Sequence, residues 1–316
     1  MKKILILGSS GFIGKNLFIH FSKKKNFICY GTFFTNKPKN LKSKNLFKVD
    51  LTNKKKLNNL LGFIKPDILV QAAATTSGAK DIISKPFIHV NNNAIINSVV
   101  TEASFNINLK HFIFFSCTVM YKAKKKSLKE TDFDGNEEMY PSYFGAGWMK
   151  IFVEKMCEFY SRISTTKFSI IRHSNVYGPY DKFDLERSHV FGASITKVMN
   201  SKKFVNIWGD GNESRDFLHI NDLISFVDLA IKKQRKNFEI FNVGSSKNLS
   251  IKNLVKKIIR HSGRDLKVNY DLTKKSLKNS VKLNTSKSKR ILGWYPKINI
   301  DSGIKKTLEW YKKNYK

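Results

Sequence analysis

Seven residues near the start, Gly8-Ser9-Ser10-Gly11-Phe12-Ile13-Gly14, constrain this chain more than anything else in it. An apolar run at 3–7 precedes them and an amphipathic stretch at 14–24 follows. A strand that turns on glycines into a helix is the arrangement that cradles a dinucleotide pyrophosphate. Gly8 permits the tight turn, Gly11 lets backbone approach the phosphates, and Gly14 lets the helix pack closely. The helix N-terminus, with backbone at Ser10, Phe12 and Ile13, adds partial positive charge. A tight turn with no ligand can carry the same glycines, so the surroundings decide. Asp50-Leu51 follows the third apolar run and Ala72-Ala73-Ala74 the fourth, at the spacing expected of adenine and ribose contacts. The residues after the second run, Gly31-Thr32-Phe33-Phe34-Thr35-Asn36-Lys37, lack the carboxylate that would hold the 2′-hydroxyl of NAD(H). With a lysine there instead, the reading leans to NADP(H).

The first half repeats this alternation. Short runs rich in Val, Ile and Phe at 3–7, 27–32, 46–49, 68–71, 112–116 and 168–172 predict strands buried on both faces. Amphipathic segments at 14–24, 54–64, 93–105 and 143–161 predict the helices between them. The expected class is α/β, a Rossmann-type doubly wound parallel sheet. Past 172 the rhythm loosens, with helices expected at 190–201, 221–233 and 251–262, a short strand at 239–243, and an irregular lysine-rich stretch at 272–280. At 316 residues the chain exceeds the common single-domain size. The expected division is a dinucleotide-binding domain, 1–173 plus about 212–243, and a smaller discontinuous substrate domain, about 174–211 plus 244–316.

Composition excludes more than it assigns. No apolar run is long enough to span a membrane, and the charged, apolar start lacks a cleavage pattern of small residues. Cys29, Cys117 and Cys157 are too few and too far apart for a disulfide framework or a metal site. The expectation is a cytoplasmic protein with no metal and no membrane partner. The net charge is +34, but only eight of the 58 basic residues are arginine. The lysines are scattered and not gathered on one aromatic-studded face, so no specific nucleic-acid partner is expected.

Downstream motifs narrow the reading. They are Ser116-Cys117-Thr118-Val119-Met120-Tyr121, Tyr143 opening a helix, and Asn175-Val176-Tyr177-Gly178-Pro179. With the glycine spacing, they make the chain resemble the extended short-chain dehydrogenase/reductase family of NAD-dependent epimerases and dehydratases. Within it the chain looks most like the GDP-fucose synthase branch, through Arg187-Ser188-His189-Val190, Trp208-Gly209-Asp210-Gly211, Arg215-Asp216-Phe217-Leu218-His219 and Leu292-Gly293-Trp294. The resemblance spans essentially the whole chain. It implies a nucleotide-sugar substrate, GDP-linked, and a homodimer formed through the helices at 93–105 and 143–161. It makes Tyr143 the residue that exchanges a proton with the sugar oxygen and His189 an acid/base beside the hexose. Asn175 and Ser188 would line the substrate, and Lys197, Arg215 and Lys282 would hold the diphosphate, a role suited to cationic donors. Trp208 fits either a stacking surface for sugar or base or a core position.

The chain also departs from the family. The usual Tyr-x-x-x-Lys motif reads Tyr143-Phe144-Gly145-Ala146-Gly147, and Gly147 can neither lower a phenol pKa nor orient a ribose. Lys150, seven residues after Tyr143, lies near the same helix face and leans back toward it, or else is an ordinary surface lysine. Cys117 stands where a hydroxyl residue is expected, either as an active thiol or as an inert buried one. The cysteine that serves epimerisation in the GDP-fucose synthase branch corresponds to Val119. An enzyme of modified chemistry is the preferred reading, ahead of a binding protein without turnover and of a nucleic-acid-associated protein.

Overall fold

The computed structural model describes residues 1–38, 41, 44–76, 84–107, 109–124, 126–274 and 280–315. β1 (Lys2–Leu7) leads through the glycine turn into α1 (Phe12–Ser22), then β2 (Phe27–Phe33) and β3 (Leu46–Lys48). Next come α2 (Lys54–Ile64), β4 (Ile68–Gln71), α3 (Asn91–Asn106) and β5 (His111–Ser116). A 3-10 turn at Pro141–Tyr143 precedes α4 (Phe144–Arg162), and β6 (Lys167–His173) follows. Beyond these lie β7 (Asn175–Tyr177), α5 (Val190–Asn200), β8 (Phe204–Trp208) and β9 (Ser214–His219). The chain continues with α6 (Ile220–Lys233), β10 (Phe238–Val243), β11 (Asn248–Ser250) and α7 (Ile251–Ser262). It closes with β12 (Lys267–Asp271), α8 (Ser286–Leu292) and α9 (Ile300–Asn314).

Seven strands form one sheet in the order β10-β6-β5-β4-β1-β2-β3, every pairing parallel. The expected doubly wound sheet is present. Burial on both faces explains why its strands do not alternate in polarity. Ile4 and Ile6 of β1 join one hydrophobic cluster with Phe21, Val70, Phe241 and Trp294, while Leu5 and Leu7 join another with Leu61, Phe112 and Val153. The chain leaves β1 toward β2 on one side and returns to β4 on the other. Ligands of such sheets bind at this reversal, outside the carboxyl ends of the strands.

A third cluster, with Tyr177, Phe191, Ile207, Phe217, Leu254 and Ile304, lies among β7, α5, β8, β9, α7 and α9. The small sheets β11-β9-β7 and β12-β8 belong to this region. β9, in the segment expected to rejoin the first domain, pairs with β7 and β11. It puts Phe217 in the third cluster and Leu218 in the first. β7, β8, β9, β11, β12, α8 and α9 were not anticipated: four of the strands have only three to five residues, and β8 alternates exposed and buried. Residues 275–279 of the lysine-rich stretch lie outside the described residues.

Candidate active site

The glycine turn is shaped by what crowds it. Gly8 has φ +80°, a conformation that side chains resist, and a Cβ there would lie 2.7 Å from the Ala73 Cα. A Cβ on Gly14 would collide with the Gly8 carbonyl, whereas one on Gly11 would meet nothing nearer than that carbonyl at 3.4 Å. Close packing thus fixes Gly8 and Gly14, while Gly11 and Ser10 are exposed at the mouth of the turn. The N-terminus of α1 has no side-chain cap and no acid in its first turn. Its backbone donors and partial positive charge therefore point toward the place a pyrophosphate would take. Ala72, Ala73 and Ala74 leave β4 directly against the turn. Asp50 stands past the end of β3, its Oδ1 accepting from Thr52 N at 3.0 Å and Thr52 Oγ1 at 2.7 Å, and Leu51 beside it is buried. Those hydrogen bonds hold the Asp50 carboxyl below its usual pKa. Past β2, residues 34–37 are exposed and carry Lys37 but no acid. These residues fit a nicotinamide dinucleotide. Among the described residues no group of His, Cys, Asp and Glu is arranged to hold a metal ion.

Cys117 follows β5; Tyr143, at the N-cap of α4, and Lys150, within α4, are beside it. Cys117 is half-buried. Desolvation pushes its thiol pKa up, against the pull of the Lys150 ammonium and the Val119 N–H, so the sulfur keeps its proton. Lys150 is half-buried and faces inward: its Nζ donates to the Phe115 carbonyl at 2.7 Å and sits 4.7 Å over the Phe114 ring. Desolvation lowers its pKa, and Cys117 and Glu154 oppose that. Burial raises the Tyr143 pKa, and the Arg215 guanidinium works against it. Cys117 is thus an electrostatic neighbour of both Tyr143 and Lys150.

Position 147 points elsewhere. A Cβ on Gly147 would lie 2.5 Å from Met139 Sδ, inside a cluster with Met120, Tyr121 and Ile151. A lysine at 147 would have to displace Met139. The lysine that reaches the carboxyl end of β5 is Lys150, and counting back by the Tyr-x-x-x-Lys spacing from Lys150 falls on Ala146.

Sequence reasoning missed what supports this wall. Glu154, one turn beyond Lys150, is buried with Arg172 of β6; Arg172 Nη2 lies 2.6 Å from its Oε2 and Ser116 Oγ donates to its Oε1 at 2.6 Å. Arg172 Nη1 also donates to the Tyr121 hydroxyl at 2.9 Å and the Glu130 carbonyl at 3.1 Å, and Tyr121 donates to Asn242 Oδ1 at 2.9 Å. Arginine at the end of the apolar run Ile170-Ile171 was the available signal; Glu154, among Lys150, Lys155 and Glu158 on α4, gave none.

The remaining residues lie in the second region, where Arg215 is an electrostatic neighbour of Tyr143, and His189 of His173. His189 is the exposed N-cap residue of α5; the protein around its ring, with Lys182 and His89, lowers its pKa and favours neutral imidazole. His173, the last residue of β6, has its pKa pushed down to about 4, chiefly by desolvation, with Lys150 and His189 adding repulsion. Asn175 Nδ2 donates to the Asp216 carbonyl at 3.3 Å. Ser188 is buried and donates to the Asp184 carbonyl, a structural bond that turns its hydroxyl toward its own loop. Trp208 is 41% exposed, so it is no core residue, and the Lys197 ammonium sits 5.4 Å over its ring. Lys197 also donates to the Asn206 carbonyl at 3.0 Å. Arg215 donates to the Ser214 carbonyl at 2.9 Å. Lys282 is half-buried, its carbonyl accepting from Leu128 N at 2.8 Å.

The chain is similar to known proteins along most of its length. The model of the NAD dependent epimerase/dehydratase family matches residues 4–244. A GDP-L-colitose synthase of Yersinia pseudotuberculosis is 29% identical over 98% of this chain and 97% of its own length. A GDP-L-fucose synthase of Sinorhizobium fredii is 30% identical over 84% of this chain and 86% of its own. Among solved structures, UDP-glucose 4-epimerase of Thermotoga maritima superposes with a TM-score of 0.87 at 24% identity, covering 99% of this chain and 100% of that one.

Proposed function

Because the chain belongs to the NAD-dependent epimerase/dehydratase family, we propose that it is an enzyme that reduces, and epimerises or dehydrates, a GDP-linked 4-keto-6-deoxyhexose. The observation that carries this is the meeting of the uncapped glycine turn with Cys117, Tyr143 and Lys150 at the carboxyl edge of one sheet. The nicotinamide, when bound, supplies or takes the hydride. Tyr143 is the group that gives the sugar oxygen its proton, and its raised pKa keeps that proton available. Cys117 donates a weak hydrogen bond to the same oxygen. Lys150 stands on the ribose side, and neutral His189 is placed to take a proton from the hexose. Lys197, Arg215 and Lys282 supply the charge that a diphosphate needs, and half-exposed Trp208 supplies a stacking surface. Asn175 lines the sugar, with Ser188 behind it in the loop. Lys37 and the missing acid past β2 favour NADP(H) over NAD(H). In this reading residues 1–173 with 212–243 hold the dinucleotide, and 174–211 with 244–316 hold the nucleotide sugar.

The chain also presents an apolar stripe along α4. Phe144, Trp148, Phe152 and Phe159 are exposed on one face, and Ile95 is exposed on neighbouring α3. Met149 and Val153 of the same helix are buried in the core. The stripe supports pairing of two copies through these helices.

The test is incubation with GDP-4-keto-6-deoxyhexose and NADPH or NADH, with chromatography of the sugar product. A reduced GDP-hexose, formed faster with NADPH, is expected. A second reading, binding without turnover, is favoured by Ala146 four residues before Lys150. Retained binding of both ligands with no product in any combination would decide for it.

A further inference from the structure

We propose that Ala146 determines which tyrosine serves proton transfer here: Tyr143 can act because residue 146 is too small to cover it. This rests on the function proposed above. The side chains between 143 and 147 point in different directions. Phe144 is exposed to solvent, a Cβ on Gly145 would lie 2.8 Å from Val90 Cγ2, and Gly147 faces Met139. Ala146 remains, half-buried and one turn before Lys150 on the same helix face.

Helical side chains lean toward the N-terminus and cover the turn before their own Cα. The Lys150 stem therefore runs back over residue 146 on its way to the Phe115 carbonyl. A long side chain at 146 would in turn run back over residues 142–143. With only a methyl there, that space is left to the half-buried Tyr143 ring, whose phenol shares the surroundings of Cys117 with the Lys150 ammonium. The tyrosine and the lysine are thus seven residues apart, and the small residue between them makes the spacing workable. In the reductive direction the Tyr143 O–H proton passes to the sugar carbonyl oxygen while the carbon receives hydride from the reduced nicotinamide. The ketone becomes an alcohol, the nicotinamide is oxidised, and the phenolate regains a proton from water.

Three variants test this: Tyr143→Phe, Tyr143→Ala with Ala146→Tyr, and Ala146→Leu. Each is checked first for retained dinucleotide binding by fluorescence. Tyr143→Phe is expected to lower kcat about a hundredfold or more. The double variant is expected to recover to within about tenfold of wild type, because a phenol at 146 leans over the vacated ring space. Ala146→Leu, which covers Tyr143 without offering a hydroxyl, is expected to lower kcat and shift the ionisation of Tyr143. That ionisation is read by ultraviolet difference against the same variant carrying Tyr143→Phe. A double variant no better than Tyr143→Phe, with dinucleotide still bound, overturns the proposal, as does an Ala146→Leu chain that behaves like wild type. If the wild-type chain converts no nucleotide sugar, the proposed function fails instead. The titration then decides alone: an unshifted Tyr143 in Ala146→Leu overturns the inference and a shifted one upholds it.

Discussion

At the scale of single residues, the site turns on groups whose protonation is set by partial burial. Cys117 keeps its proton because desolvation outweighs the Lys150 ammonium. A thiol that stays neutral acts as a hydrogen-bond donor, not as a nucleophile. Cys117→Ser should therefore keep or raise kcat, since a hydroxyl donates better; a loss of more than about tenfold would show that the sulfur itself takes part. Residue types in the glycine turn and the motif at 116–121 were legible in the sequence because each sits at a fixed offset from a strand end. The direction of Gly147 was not. It depends on Met139, eight residues earlier and outside any regular element, and no local pattern reveals that contact. The inward course of Lys150 was likewise undecided between cleft and solvent until the Phe115 carbonyl fixed it.

At the scale of elements, α4 turns Lys150 toward the end of β5 on one face, Gly147 into the core on a second and an apolar stripe to the surface on a third. Glu154 joins this helix to β5 through Ser116 and to β6 through Arg172. The ion pair is buried, so removing one partner strands a charge in a poorly solvated place. Glu154→Gln should destabilise the fold by about 3–5 kcal/mol, read as a fall in Tm or in the urea midpoint. A change within about 0.5 kcal/mol, the usual range at surface sites, would mean that the pair is relieved by water. The strands of the large sheet were readable as unbroken apolar runs because both of their faces are buried. β7 and β11 were not, since three residues carry too little pattern and long-range pairing with β9 defines them.

At the scale of the whole molecule, one hydrophobic cluster lies on each face of the large sheet and a third lies among β7, α5, β8, β9, α7 and α9; the proposed function places the site between the sheet's carboxyl edge and this third cluster. No described helix is long and apolar enough to cross a membrane. The exposed stripe of Phe144, Trp148, Phe152 and Phe159 is the surface to test for self-association. Trp148→Glu with Phe152→Glu should convert a dimer to a monomer in light scattering while dinucleotide binding persists; an unchanged mass would remove this face from the interface. The most direct test of the central claim is isotopic. The chain is given GDP-4-keto-6-deoxyhexose and a cofactor deuterated at the transferable position of the nicotinamide, and the sugar is weighed by mass spectrometry. A GDP-hexose bearing the transferred deuterium is the expected result; recovery of the keto-sugar unchanged, or of a product without deuterium, would contradict the account.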